Sequence, residues 1–330
     1  MPDPLALLIL IIAAAIVFGI VNGANDAANA IAAVIGTRTL SPRAAITMAG
    51  FFNFAGAATG TAVAITIGKG IIGPEALTVN IVLAGVGAII IWGILATRYG
   101  MPISLTHGLV AGLVGAGMAT GGSKIIIWAV LVRIFSAVGI APLLGLAGGF
   151  LLMLAILWLF RNTAPDRVRG TFIDLQIVSA AFLAYSHGKN DGQMPIGLIC
   201  MALMLYHGYG EFYIPFWVVI ISAASISFGT FIGGWRVIRT LGLRMTTLRP
   251  VHGFAAQASA ATIIEMASHL GIPVSTTHCI TTAIMGVGAT RRLSAVRWGI
   301  ARDIVLVWIL TFPACGILGW LLAQLLELAL

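Results

Sequence analysis

The 330 residues are 60% hydrophobic and only 8% charged, whereas roughly a quarter of the residues in an ordinary soluble domain are charged. That much apolar surface cannot be hidden by a water-soluble fold, so a soluble enzyme or binding domain is excluded and the whole chain is assigned to a bilayer. The formal charge of +8 does not point to nucleic acid: the arginines sit in short connectors between apolar runs, and no basic stripe is interleaved with aromatics.

A helix crossing the hydrocarbon needs about 20 apolar residues. The chain is apolar from Leu5 and has no Lys or Arg before Arg38, so the basic region of a signal peptide is missing and the first segment is expected to be retained. In chain order, apolar runs are expected at residues 5–37, 44–68, 76–97, 103–120, 124–160, 172–208, 212–232, 251–270, 274–290 and 298–328, the longest holding two crossings or a broken helix. The connectors Arg161–Gly170 and Gly233–Pro250, the stretch around Arg291, Arg292 and Arg297, and the turn with Arg38 and Arg43 are all basic, which places them in the cytoplasm and the N-terminus outside. The first half then crosses an odd number of times and the second half starts from the opposite side. The expected fold is an all-α polytopic membrane protein of two inverted repeats, residues 1–165 and 166–330, with broken helices and re-entrant tips meeting near the midplane. The eight tryptophans are spread as an aromatic belt would be, and Cys200, Cys279 and Cys315 are odd in number with no CxxC spacing, against a disulfide scaffold or zinc site.

Two motifs are each written twice. NGANDAANA at 22–30 and SHGKNDGQM at 186–194 align through Asn25 with Asn190 and Asp26 with Asp191, at an offset of 165; PISLTH at 102–107 and PVSTTH at 273–278 align at an offset of 171. Recurrence of two motifs in the same order indicates a duplicated unit. An Asp in apolar sequence costs roughly 2.5–3.5 kcal/mol at a helix centre, so each needs a partner. Either Asp26 and Asp191 pair structurally with a helix end or a nearby cation, or each lies at a helix break beside Gly23 or Gly188, where Asn and freed carbonyls bind a cation with the carboxylate. The Pro-x-Ser-x-Thr-His segments suit helix starts, whose hydroxyls and free N–H groups either cap the helix or hold an anion. His107 and His278 serve as structural donors or in proton transfer. Gln257 and Glu265 share one helix face at a spacing of eight residues, directed inward. Asp174 and Asp303 read as interfacial, and His187, His207, His252 and His269 show no shared metal spacing.

GANDAANA, HGKNDGQ and PVSTTH resemble signatures of the inorganic phosphate transporter (PiT) family, and HGKNDGQMPIGLI and GGWRVIRTLG resemble its bacterial low-affinity carriers. The resemblance spans nearly the whole chain. It implies symport of inorganic phosphate, free or as a metal complex, driven by Na⁺ or H⁺ through alternating access. It places Asn25, Asp26, Asn29, Asn190 and Asp191 near the cations, and Ser104, Thr106, Ser275, Thr276 and Thr277 near phosphate. The chain departs from the pattern at Lys189 (where the first copy has Ala24), at Gln193 and Met194 (Ala28 and Asn29), at Leu105 (Thr276 in the second copy), and at Asn53, where many relatives carry Glu. Two identical Na⁺ sites are therefore not expected. Lys189 is expected either to replace one bound cation beside Asp191 or to be structural, and Glu265 either to assist coupling or to hydrogen-bond structurally. The partners expected are phosphate, the coupling cation and the lipid bilayer of the inner membrane, with a homodimer admissible and no cofactor, nucleic acid or metal beyond the coupling cation. The rival readings are a permease for sulfate or arsenate, a channel, and a membrane-embedded enzyme; the last would need a nucleophile and base that the repeated motifs do not supply.

Overall fold

The computed structural model describes residues 3–208 and 212–329, and its regular elements are helices. In the first half these are α1 (Pro4–Gly36), α2 (Pro42–Ala57), α3 (Ala62–Gly70), α4 (Val79–Tyr99), α5 (Leu105–Gly121) and α6 (Trp128–Leu159). The second half contributes α7 (Pro165–Asp191), α8 (Gln193–Tyr206), α9 (Phe216–Ile232), α10 (Trp235–Arg239, running into a π-type turn), α11 (Pro250–His269), α12 (Thr276–Arg291) and α13 (Trp298–Ala329). Local sequence sets the starts. Proline opens α1, α2, α7 and α11, and the side chains of Asp3, Ser41, Thr78, Ser104 and Ser275 cap α1, α2, α4, α5 and α12.

The expected spans correspond to these elements, with differences in where the chain breaks. Residues 5–37, 124–160 and 298–328 each form one continuous helix rather than two crossings, and α6 and α13 run through Pro142 and Pro313. At 32 residues each, about 48 Å long, both outrun the roughly 30 Å hydrocarbon layer and so must tilt or project. The long run 172–208 does hold a break, at Gly192, and further breaks fall between α2 and α3 (bent by 66°) and between α9 and α10 (62°). Alone, α1, α4, α6 and α13 are long and apolar enough to cross a membrane, and each bent pair has the length and composition of a broken span or a re-entrant loop.

The two halves are inverted copies. α1 ends at the Arg38 turn, whereas α7 begins on the same side, because Arg38, Arg161, Arg169 and Arg249 line one cavity. Arg291 and Arg297 reach the carbonyls of Thr247 and Arg244, and Arg236 bonds the carbonyl of Arg98, so the basic connectors gather at one end. The opposite end holds Asp3 and the loop before α4, with Lys69, Lys124 and Arg133 as its basic residues.

The copies interlock. α1 packs on α9 and α7 on α2; α5 packs on α13 and α12 on α6. Two apolar cores result, and each draws from both halves: one gathers the start of α1 with α4, α5, α8 and the end of α13, the other the end of α1 with α7, α11, α12 and the start of α13. Glycines permit the close approach. A Cβ on Gly23 would lie 2.0 Å from the Ile226 carbonyl oxygen, and one on Gly188 would lie 2.1 Å from that of Asn53. The tryptophans divide: Trp128, Trp158, Trp217, Trp235, Trp298 and Trp320 are exposed, but Trp308 is buried and donates to the Pro102 carbonyl at 3.0 Å, so it belongs to the packing rather than to a belt.

Gly23→Ala is expected to cost at least about 1–3 kcal/mol, because backbone rather than a movable side chain occupies the space. Gly170→Ala, inside α7 with nothing within 4 Å of the added Cβ, is expected instead to stabilise by about 0.5–1 kcal/mol. Thermal unfolding of the purified variants, followed by tryptophan fluorescence, measures the contrast.

Candidate functional site

The two helix tips are irregular backbone buried inside protein, the one setting in which non-helical chain is tolerated at membrane depth. Ser104 accepts the His107 N–H at 3.2 Å and Ser275 accepts the His278 N–H at 3.1 Å, so each serine caps its own helix. The tips touch: Thr106 Oγ1 donates to the Val274 carbonyl at 3.3 Å, and the His107 and His278 rings meet edge to face at 4.9 Å. His278 also lies against Trp308 and His107 against Phe312. Leu105, which replaces a threonine of the second copy, is fully buried in the apolar core. Hydroxyl donors are therefore concentrated at the second tip.

Asp26 and Asp191 converge on that tip. Thr277 Oγ1 donates to Asp26 Oδ1 at 3.2 Å, and Thr276 Oγ1 lies 3.4 Å from Oδ2 of each carboxylate. Asn29 Nδ2 bonds Thr276 Oγ1 at 3.2 Å and Thr277 Oγ1 at 3.0 Å. Asn25 and Asn190 play matching parts further out. Asn25 bonds the Thr97 hydroxyl of α4 at 2.8 Å, and the Asn190 amide lies 3.0 Å from the Ser268 hydroxyl of α11. They hold the acid-bearing helices to the segments leading into the tips.

Between the acids stands His187, to which sequence reasoning gave no role. Its Nε2 is 3.4 Å from Asp191 Oδ2 and 3.7 Å from Asp26 Oδ2, and its Nδ1 is 2.8 Å from Asn53 Oδ1. Asn53 in turn donates to Thr230 at 2.8 Å. Asp26, His187 and Asp191 are all buried and can each bring one ligand atom within 4.8 Å of the others, close enough to share one cation. His187 stands four residues before Asp191 on α7, as Asn22 stands four before Asp26 on α1, so the motif alignment pairs Asn22 with His187. That spacing, one turn along the same helix face, was the available signal. Asn22 is fully buried and neither of its amide atoms has a protein partner.

Two expectations are corrected. Asp26 is not at a helix break: α1 is uninterrupted from Pro4 to Gly36, and Gly23 serves close packing on α9 instead. Asp191 does end its helix, at Gly192. Lys189 does not lie with Asp191; its ammonium bonds Glu265 and sits 3.2 Å from His269 Nε2, with both partners on α11. Glu265 therefore faces Lys189, while Gln257, about two turns earlier on α11, bonds the Ala30 carbonyl at 2.9 Å and the Ser179 hydroxyl at 3.3 Å, tying α11 to α1 and α7.

The fold that brings two acid-bearing helices and two capped tips together has known counterparts. A family model described as "Phosphate transporter family" matches residues 22–169 and again residues 160–319, once per half. The chain belongs to the phosphate transporter family. It is 45% identical, over 95% of its own length and 94% of the relative's, to a "probable low-affinity inorganic phosphate transporter" of Rhizobium meliloti (strain 1021). It is 38% identical to a protein of the same description from Bacillus subtilis (strain 168), covering 96% of each. A solved structure of a protein described as "sodium-dependent phosphate transporter" superimposes with a TM-score of 0.92 at 26% identity, covering 98% of this chain and all of that one. Family membership makes this chain an integral membrane transporter rather than an enzyme.

The Lys189–Glu265 pair, with side chains 9% and 19% exposed, gives a stability test. Glu265→Gln strands a largely buried ammonium and is expected to cost up to about 3 kcal/mol, most of it recovered when Lys189→Met is added. A double-mutant cycle on thermal unfolding reads this out.

Proposed function

We propose that this chain is a cation-coupled symporter importing inorganic phosphate across the inner membrane by alternating access, built from repeats 1–165 and 166–330, with its basic end in the cytoplasm and its N-terminus outside. The observation that carries it is the convergence of Asp26, His187 and Asp191 from opposite halves on Thr276 and Thr277. An anion arriving at the α12 tip gains hydroxyl donors and the positive end of a helix dipole, but it also meets two carboxylates. A like unit charge about 4 Å away costs about 4 kcal/mol at an effective dielectric near 20, or roughly a thousandfold in affinity. Phosphate therefore binds once a cation has offset the acids, and by linkage phosphate tightens the cation equally.

Within this reading the coupling ion is H⁺. The imidazole nitrogen stands where an oxygen ligand would serve Na⁺, and a proton shared among two carboxylates and a histidine needs no coordination shell. Na⁺ is the second reading, favoured by the sodium dependence of the superimposed phosphate transporter. Phosphate contacts are assigned to Thr276 and Thr277, with Ser104, Thr106 and Ser275 shaping the tips; Asn25, Asn29 and Asn190 orient the acids. Lys189 and Glu265 form a closing pair beside the pathway.

Radiolabelled phosphate uptake into proteoliposomes, with pH and Na⁺ gradients imposed separately, tests the proposal. An inward proton gradient is expected to drive accumulation and a Na⁺ gradient alone is not. Equal drive by Na⁺ would retain symport and remove the proton assignment, while uptake indifferent to both would remove symport. Asp26→Asn and Asp191→Asn are each expected to cut uptake by more than about a hundredfold, the scale of losing one buried charge interaction. Thr277→Val is expected to weaken phosphate binding about tenfold through one lost charge-assisted hydrogen bond. Labelled sulfate, which should compete poorly, checks the rival oxyanion.

A further inference from the structure

A second polar feature lies at the basic end, remote from the acids. Thr37–Thr39, the end of α6 and the starts of α7 and α11 enclose a cavity of about 770 Å³. Its floor is apolar, with Met153, Ile156 and Phe160 of α6 and Ile173 of α7 among the lining, while its rim carries Arg38, Arg161, Arg169 and Arg249 against one carboxylate, Asp166. Among the described residues none of the four guanidiniums lies within 4 Å of a carboxylate, although ion pairs are formed elsewhere in the molecule. Thr37 follows Asp26 by eleven positions, which puts the cavity about 16 Å along α1 from the acidic site.

Two observations fix its depth and build. Trp158, 66% exposed, lies next to the cavity with the Arg161 guanidinium 5.2 Å from its ring, the arrangement of an aromatic anchor at headgroup level. Arg38 is the sole non-glycine residue with positive φ (61°) among those described, and its turn is held there by Thr37 and Thr39, whose hydroxyls donate to Gln176 of α7 at 2.9 and 2.6 Å. A left-handed arginine is an uncommon backbone state that the surroundings must impose. Here it stands at the rim of the cavity.

We propose that this cavity is a binding site for one anionic phospholipid, its phosphate head held by Arg38, Arg161, Arg169 and Arg249 and its acyl chains laid along the apolar face of α6. The pairing of a cationic rim with an apolar floor at headgroup depth selects a lipid over a free anion, which would have no use for the floor. The occupant would bridge the end of α1, the connector before α7 and the start of α11. These helices carry Asp26, Asp191 and Glu265, so the lipid would brace the three against one another.

Native mass spectrometry of the purified full-length protein, delipidated and offered phosphatidylglycerol and phosphatidylcholine of identical chains, tests this. Each arginine near an anionic head contributes roughly fivefold in affinity. Phosphatidylglycerol is therefore expected to be retained at least fivefold over phosphatidylcholine, and millimolar inorganic phosphate is expected not to displace it. Arg38→Asn combined with Arg169→Gln, asparagine being tolerant of the left-handed turn, should reduce retention of phosphatidylglycerol about twenty-five-fold and that of zwitterionic phosphatidylcholine by much less. Equal retention of the two lipids by the unmodified protein overturns the proposal without any variant. Displacement by phosphate would make the site one for the free anion, and unchanged retention in the double variant would place the lipid elsewhere; either result overturns it.

Discussion

Everything in this molecule is arranged around two carboxylates that have been taken out of water. Asp26 and Asp191 are 2% and 0% exposed, in a chain with ten acidic residues in all, and a buried charge left alone would be prohibitive. Asp26 finds its partners in the other half of the protein, and Asp191 shares them from its own half. His187 from α7 reaches both, and the α12 tip supplies hydroxyls to both. The same convergence that satisfies the acids builds a concave, donor-lined place at a helix start, so the stabilising arrangement and the candidate site are one structure.

The approach of helices needed for that convergence depends on absent side chains. At Gly23 and Gly188, one turn before each acid, the facing backbone leaves no room for a methyl group. The asparagines complete the positioning: Asn25 and Asn190 anchor their helices to α4 and α11, while Asn29 joins both threonines of the tip. The symmetry is close in backbone and broken in chemistry. Asn22 in one half is His187 in the other, and Leu105 in one tip is Thr276 in the other, so the site has a polar side and a packing side.

Much of this was legible in the sequence because bilayer burial leaves strong marks. Apolar run length gave the helices, arginine placement gave the ends and through crossing parity the inversion, and repeated motifs gave the duplicated unit and the acids. What was not legible were distances between elements. Whether Gly23 bends a helix or seats it on another depends on where α9 lies, and the residue letters read the same either way. Lys189 precedes Asp191 by two positions, yet neighbours two apart on a helix face different ways, and its ammonium finds Glu265 on α11. His187 carried a usable signal, the one-turn spacing to Asp191. It was obscured by looking for histidines spaced to one another rather than to an acid.

The crossed packing of the cores bears on how such a site could face each side in turn. Because each apolar core borrows from both halves, parting the sequence halves would open both cores, whereas a shift of one core against the other would leave each intact. α6 leaves one core after Ile134 and joins the other at Ala141; α13 makes the reverse passage between Trp308 and Cys315. Pro142 and Pro313 stand at those two passages, each lacking the amide that would stiffen the helix there. A rocking of one core on the other would find its pivots already cut into two of the three longest struts.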